Sequence, residues 1–203
     1  MEQSTRTPAL PPLPPAPGGQ THPSVELANS VVVVPGAEPV DSLATPAEAT
    51  RWLVEHDLAP AGVELQQYCS ALLMDLRHHV RSLFGAVGDG TEPPAVALRA
   101  VNDALVRTPT AALLGWDPQA GWQRVAPHPT TQIVEHALAS LAVDVAELVT
   151  GPEADRLAAC EAAPCNRFFV RTHARRRWCS TRCGDRVRAA RAYARRSGAP
   201  TPA

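Results

Sequence analysis

Apolar and polar positions alternate along the chain so as to mark out a helical body and a tail of different character. Between residues 62 and 86, Leu65, Cys69, Leu72, Leu76, Val80 and Leu83 recur at steps of three and four. That spacing puts them on one face and predicts a long amphipathic helix. "GDG" at 88–90 and Pro93–Pro94 end it. Leu98, Val101 and Leu105 predict a second helix, which must stop before Thr108–Pro109, because the residue before a proline avoids helical backbone. Val134, Leu138, Leu141, Val145 and Leu148 predict a third, over 131–149. Upstream, Thr45, Pro46 and Glu48 form the cap, first-turn proline and reciprocal acid of a capping box. A short helix over 46–56, burying Trp52 and Leu53, follows from it.

Strand patterns are fewer. "VELANSVVVV" (25–34) reads as a strand, or as a short helix leading into one, and "TAALLGW" (110–116) with "GWQRVAP" (121–127) reads as a β-hairpin around "DPQA". The first 23 residues hold seven prolines and almost no large apolar side chains, so a disordered leader is expected. The expected organisation is a leader over 1–23, a helical domain over 24–152, a small domain over 156–196 and a disordered tail over 197–203. The fold class is α+β: a mainly helical body with a small β-hairpin, plus a small C-terminal four-cysteine unit of hairpin and helix.

Composition narrows the function. No run of 18 apolar residues is present, so no membrane-spanning helix is expected, and the opening segment lacks a signal-peptide pattern. A cytoplasmic protein is expected, in which clustered cysteines serve as metal ligands rather than disulfides. All 19 basic residues are arginine, and the formal charge of −1 hides a strong asymmetry. Residues 1–155 carry 7 Arg against 18 acids, whereas residues 156–203 carry 12 Arg against Glu161 and Asp185. A basic tail on an acidic body points to a polyanionic partner, or to the body itself.

Four of the five cysteines lie in that tail as C-x4-C-x13-C-x3-C: Cys160, Cys165, Cys179 and Cys183. Two close pairs separated by a dozen or so residues make a four-thiolate zinc site, one ion per chain. With four sulfurs the coordination sphere is closed, so the ion is structural and leaves no position for a reacting water. "RFFV" (167–170) and "RRRW" (175–178) are the expected strands between the pairs, with Phe168, Phe169 and Trp178 as a miniature core. Ser180 is placed to cap a helix from Thr181, with Cys183 in its first turn. His173 is a conceivable alternative ligand. On this account each half has its own source of stability, the body its core and the finger its metal.

Arg175, Arg176 and Arg177 precede that helix, and Arg182, Arg186, Arg188, Arg191, Arg195 and Arg196 lie on it. Phosphates would relieve their mutual repulsion and release counterions, so Arg175, Arg176, Arg177, Arg182, Arg186, Arg188, Arg191 and Arg195 are the candidate nucleic-acid-binding residues. The body carries no phosphate loop and no nucleophile elbow; His78–His79 point apart on their helix, and Cys69 and His136 read as packed side chains. No enzyme is expected.

The tail motif, with Cys160, Cys165, Phe168, Arg176–Trp178, Cys179, Ser180, Cys183, Gly184 and Arg186, resembles the CGNR zinc-finger family of bacterial proteins. "ELANS" (26–30), "DSLATPAEATRWL" (41–53) and "VNDAL" (101–105) are similar to that family's N-terminal domain of stress-induced transcription regulators. The sequence departs from the family in reading "CGDR", with Asp185 in place of an amide, and in a Cys179–Cys183 spacing one residue shorter. The resemblance implies a transcription regulator whose finger binds double-stranded DNA and whose body senses an unidentified effector or forms a homodimer. An RNA-binding protein and a zinc-stabilised protein-interaction module are the alternatives.

Overall fold

The computed structural model describes residues 14–107, 113–125 and 132–197. The first elements are α1 (Pro23–Ala28) and an antiparallel pair, β1 (Val31–Val32) with β2 (Val40–Asp41). Next comes α2 (Pro46–Glu55), opened by the expected capping box: the Glu48 amide donates to Thr45 Oγ1 (3.2 Å) and the Thr45 amide to Glu48 Oε2 (3.1 Å). Helices α3 (Gln67–Asp89) and α4 (Ala95–Arg107) follow, then the hairpin β3 (Leu113–Asp117) and β4 (Gly121–Val125), and α5 (Ile133–Thr150). The tail holds a 3-10 turn at Ala154–Arg156, the antiparallel pair β5 (Leu157–Ala159) and β6 (Phe168–Val170), and α6 (Thr181–Ser197). The flanks of the expected hairpin, 110–112 and 126–127, lie outside the described residues.

Helix α3 is the hub, with α1, α2, α4, α5 and β5 packed on it. Its buried face is Leu73, Leu76, Val80, Leu83 and Phe84, so the stripe is rotated from the expected one, and Leu72 and Cys69 sit half-buried at its edge. The helix begins five residues later than expected, because Gln66 is extended and the Leu65 amide donates to Thr50 Oγ1 (3.1 Å) on α2. In α4 the buried positions are Ala97, Val101 and Ala104, while Leu98 is 46% exposed. His136 is buried on α5, as expected.

Two expectations are corrected. Residues 14–22 are not a disordered leader. Pro17 carbonyl accepts from the Val170 amide (2.8 Å), and Ala16 is buried among the finger's residues. At Gly18, φ is +90° and a Cβ would stand 2.5 Å from Val170 Cγ2, so glycine is required there. Residues 1–13 lie outside the described residues. Nor are body and finger independent: Leu157, Phe168 and Val170 of the finger belong to the body's cluster, and a second cluster surrounds the cysteines.

Side chains mimicking strand edges hold that junction. Asn29 donates to Phe168 O (2.9 Å) and accepts from the Phe168 amide (2.8 Å). Reciprocally, Asn166 accepts from the Val33 amide (3.1 Å) and donates to Val31 O (3.1 Å). Arg81 on α3 donates to Ala28 O (2.5 Å) and Asn166 O (2.9 Å), and lies 5.1 Å from the Phe168 ring centroid. Burial, with Arg77 nearby, lowers its pKa. Arg77 itself makes a bidentate pair with Asp41 (2.5 and 2.8 Å), which ties β2 to α3. Burial opposes the charge on Asp41, yet the bonds from Arg77 and the Leu43 amide hold its pKa below the usual carboxylate range.

Candidate metal centre

Each cysteine is positioned by ordinary backbone chemistry. Cys160 follows β5, and its amide extends the ladder to Arg167 O (2.8 Å). The chain then turns, through a cis Ala163–Pro164 bond, so that the Cys165 amide donates to Ala162 O (2.8 Å). Cys179 closes the second approach by donating its amide to Cys160 Sγ (3.4 Å). Ser180 caps α6, its Oγ accepting from the Cys183 amide (3.3 Å). That fixes Cys183 in the first turn.

The four sulfurs lie within 4.8 Å of one another, and neighbouring pairs are 3.7 and 3.8 Å apart. A tetrahedral zinc with bonds of about 2.3 Å requires sulfurs about 3.8 Å apart, so the donor set fits one such ion. His173, exposed in the loop after β6, is not among the clustered groups. Cys160, Cys179 and Cys183 are buried and Cys165 is half-buried. Hydrogen bonds donated by Cys165 and Cys179 hold the Cys160 thiol far below its ordinary pKa. Cys165 is pushed up to about 11, chiefly because it donates to Cys160, and Cys179 is raised for the same reason. A thiolate at Cys160 is thus easy to form and those at Cys165 and Cys179 are not; a dication would supply what these two ionisations require.

Around the sulfurs lie Ala158, Ala162 and Phe169, with Trp178 and Val187 half-buried. Phe168 points the other way, into the body. The finger's hairpin is made by 157–159 with 168–170, not by 167–170 with 175–178. Gly184 is required by Trp178, whose Cε3 would stand 2.8 Å from a Cβ there.

The arginines separate into two groups. Arg176 donates to Trp178 O (3.0 Å) and Cys179 O (3.0 Å), lying 5.8 Å from the Phe169 ring centroid. Arg186 donates to Ala162 O (2.5 Å). Arg177 pairs with Glu161, whose carboxylate raises the guanidinium pKa. Arg188 pairs with Asp185 (2.6 Å), which answers the departure from the family motif within one helical turn, and lies 5.6 Å from the Trp178 ring centroid. Arg182 also has a partner. Arg175, Arg191, Arg195 and Arg196 make no side-chain hydrogen bond or ion pair among the described residues. Sequence reasoning missed Asn29, Arg81, Asn166 and Arg167, whose polar or charged heads lie at the junction. "ELANS" was the sole signal for Asn29, and the others gave none.

A family model described as "ABATE: Putative stress-induced transcription regulator" matches residues 21–152, and one described as "CGNR zinc finger" matches residues 156–196. No curated protein matches the chain. The chain belongs to the ABATE family and carries a CGNR zinc finger.

Proposed function

Proceeding from that membership, we propose that the protein is a DNA-binding transcription regulator, with zinc held by Cys160, Cys165, Cys179 and Cys183. Its finger meets duplex phosphates mainly through Arg175, Arg191, Arg195 and Arg196. The observation that carries this reading is the orientation of α6. Its first turn is fixed in the cysteine cluster, while Arg191 and Arg195, one turn apart, extend past it without partners among the described residues. Arg188, at the matching step of three, lies on that face but is already paired with Asp185. Ala189, Ala190 and Ala192 between them offer no groups to read a base edge, so phosphate contact supplies most of the affinity. The body then serves as the sensing or dimerising part of a cytoplasmic, non-catalytic protein. The matched families, a regulator and a zinc finger, support this.

The test is fluorescence anisotropy of a labelled duplex with zinc-loaded protein across a salt series. Binding that weakens steeply with salt supports the reading. No binding at low salt refutes it, and preferential displacement by single-stranded RNA would favour an RNA-binding role instead. The basic tail would serve an acidic protein surface if neither nucleic acid binds.

A further inference from the structure

A cavity of about 840 Å³ lies among the N-terminal segment, the β1–β2 hairpin and the end of α2. Its walls are mostly apolar, with Pro23, Val32, Val34 and Val40 among them, and it is lined by a single arginine, Arg167. Arg167 comes from the finger, between Cys165 and β6. It is only 4% exposed, its Nη1 donates to Pro14 O (2.8 Å), and its Nε has no partner. No carboxylate among the described residues lies within ion-pair distance of it. The contrast with buried Arg77, which has the bidentate Asp41, is direct. A guanidinium taken out of water without a counter-charge is costly, and an entering anion would remove that cost. Three carboxylates, Glu26, Glu55 and Asp57, also line the cavity, and none of them pairs with Arg167. Those carboxylates disfavour a second negative charge.

We propose that this cavity binds a small monocarboxylate with an apolar body, its carboxylate on Arg167 and its hydrocarbon along the valines. Its role as an effector rests on the regulator reading; the binding itself does not. Arg167 lies two residues from Cys165, whereas most of the lining comes from residues 15–57. A bound carboxylate therefore bridges the body to the finger.

The test uses calorimetry on the zinc-loaded full chain, with octanoate, octanol and octanedioate as probes. Octanoate is expected to bind one-to-one and at least about tenfold more tightly than either comparator, as expected for a desolvated charged hydrogen-bonding pair. Arg167→Gln should weaken octanoate by a similar factor and leave octanol unchanged. Val34→Trp, which fills the cavity from a half-buried wall position, should remove octanoate binding while zinc content stays at the parental level. Should Arg167→Gln lose zinc, Val34→Trp decides. No octanoate binding at millimolar concentration, equal affinity for octanol, or undiminished binding in Val34→Trp would overturn the proposal. A duplex titration with and without octanoate separates the two levels. An unchanged DNA affinity removes the effector role, and a failure to bind DNA at all removes the regulator reading, while the calorimetry still decides the pocket.

Discussion

Phe168 and Phe169 are adjacent in β6 and point to opposite faces, one into the body and one beneath the cysteine cluster. Truncating each in turn therefore separates the two cores. Phe168 is 6% exposed and meets Phe84 of α3 edge-on, with ring centroids 5.8 Å apart. Phe168→Ala leaves a cavity against α3, a loss of about 3–5 kcal/mol, of which the aromatic pair accounts for roughly 0.5–1.5 kcal/mol. In a chain of this size each kcal/mol lowers Tm by about 2–4 °C, so a fall of roughly 6–20 °C is expected. Far-UV circular dichroism follows the body's helices, and a chromophoric chelator reports zinc retention in the folded protein. Phe168→Ala should lower the helical melt and leave zinc retention near parental, whereas Phe169→Ala, at 0% exposure beneath the cluster, should weaken zinc retention first. Removing zinc should likewise lower the melt of the body, since β5 and β6 complete its core. A helical melt for Phe168→Ala within about 2 °C of the parent would refute the shared core and restore two independent units.

Zinc analysis of reduced protein should find about one ion per chain, lost on replacing Cys160, Cys165, Cys179 or Cys183 by Ser and retained in Cys69→Ser. Four arginines whose guanidinium groups are uncommitted among the described residues predict a log–log salt slope for duplex binding of about −4, flattened by about two units in Arg191→Ala/Arg195→Ala. Arg176→Gln should instead ease zinc release and leave the slope alone. His22 bonds Asp144 (2.9 Å) and Glu153 (3.1 Å), and Glu153 also pairs with Arg156 (3.2 Å). Burial opposes its charge, yet the bonds to Glu153 and Asp144 raise its pKa above 6.5. The stability it contributes is therefore present below pH 6.5 and lost as pH rises through the raised value. His22→Ala melts measured over that range should lack this component of the fall; identical pH profiles would exclude it.

What could be read from the sequence follows from which features are local. Capping at Thr45 and the Cys179–Ser180–Cys183 turn involve residues within four positions of one another, so both were legible. The apolar repeat of α3 gave the helix but not its covered edge, which α1, α4 and α5 decide together. The finger's second strand was misassigned because period-two reasoning does not say which neighbour pairs. "RRRW" could pair only by turning at least one guanidinium inward in a strand. The chain avoids that cost by folding Arg176 back onto Trp178 O and Cys179 O, leaving Leu157–Ala159 to pair with β6. Arg167 and Asn166 escaped because their bonds reach back more than 130 residues, to Pro14, Val31 and Val33.

The positive charge of the tail has two causes. Four thiolates around one dication carry a net charge of about −2, in a site whose sulfurs are largely buried. Backbone amides at Cys179 and the α6 terminus offset part of it. Arg176 and Arg186 add full charges, held by carbonyls of the same loops that carry Cys179 and Cys160–Cys165. They therefore stabilise the cluster twice, by charge and by tying its loops. Counting every tail arginine toward nucleic acid would overstate the salt dependence by including groups whose guanidinium hydrogen bonds are already committed. Asp185 supports the same division: an acid facing phosphate would weaken binding, yet here it neutralises Arg188 within one turn. What remains for a polyanion is the far end of α6 and Arg175. On the proposed function, that smaller set predicts a modest affinity for duplex and makes correct folding of the cluster, rather than total charge, the condition for presenting it.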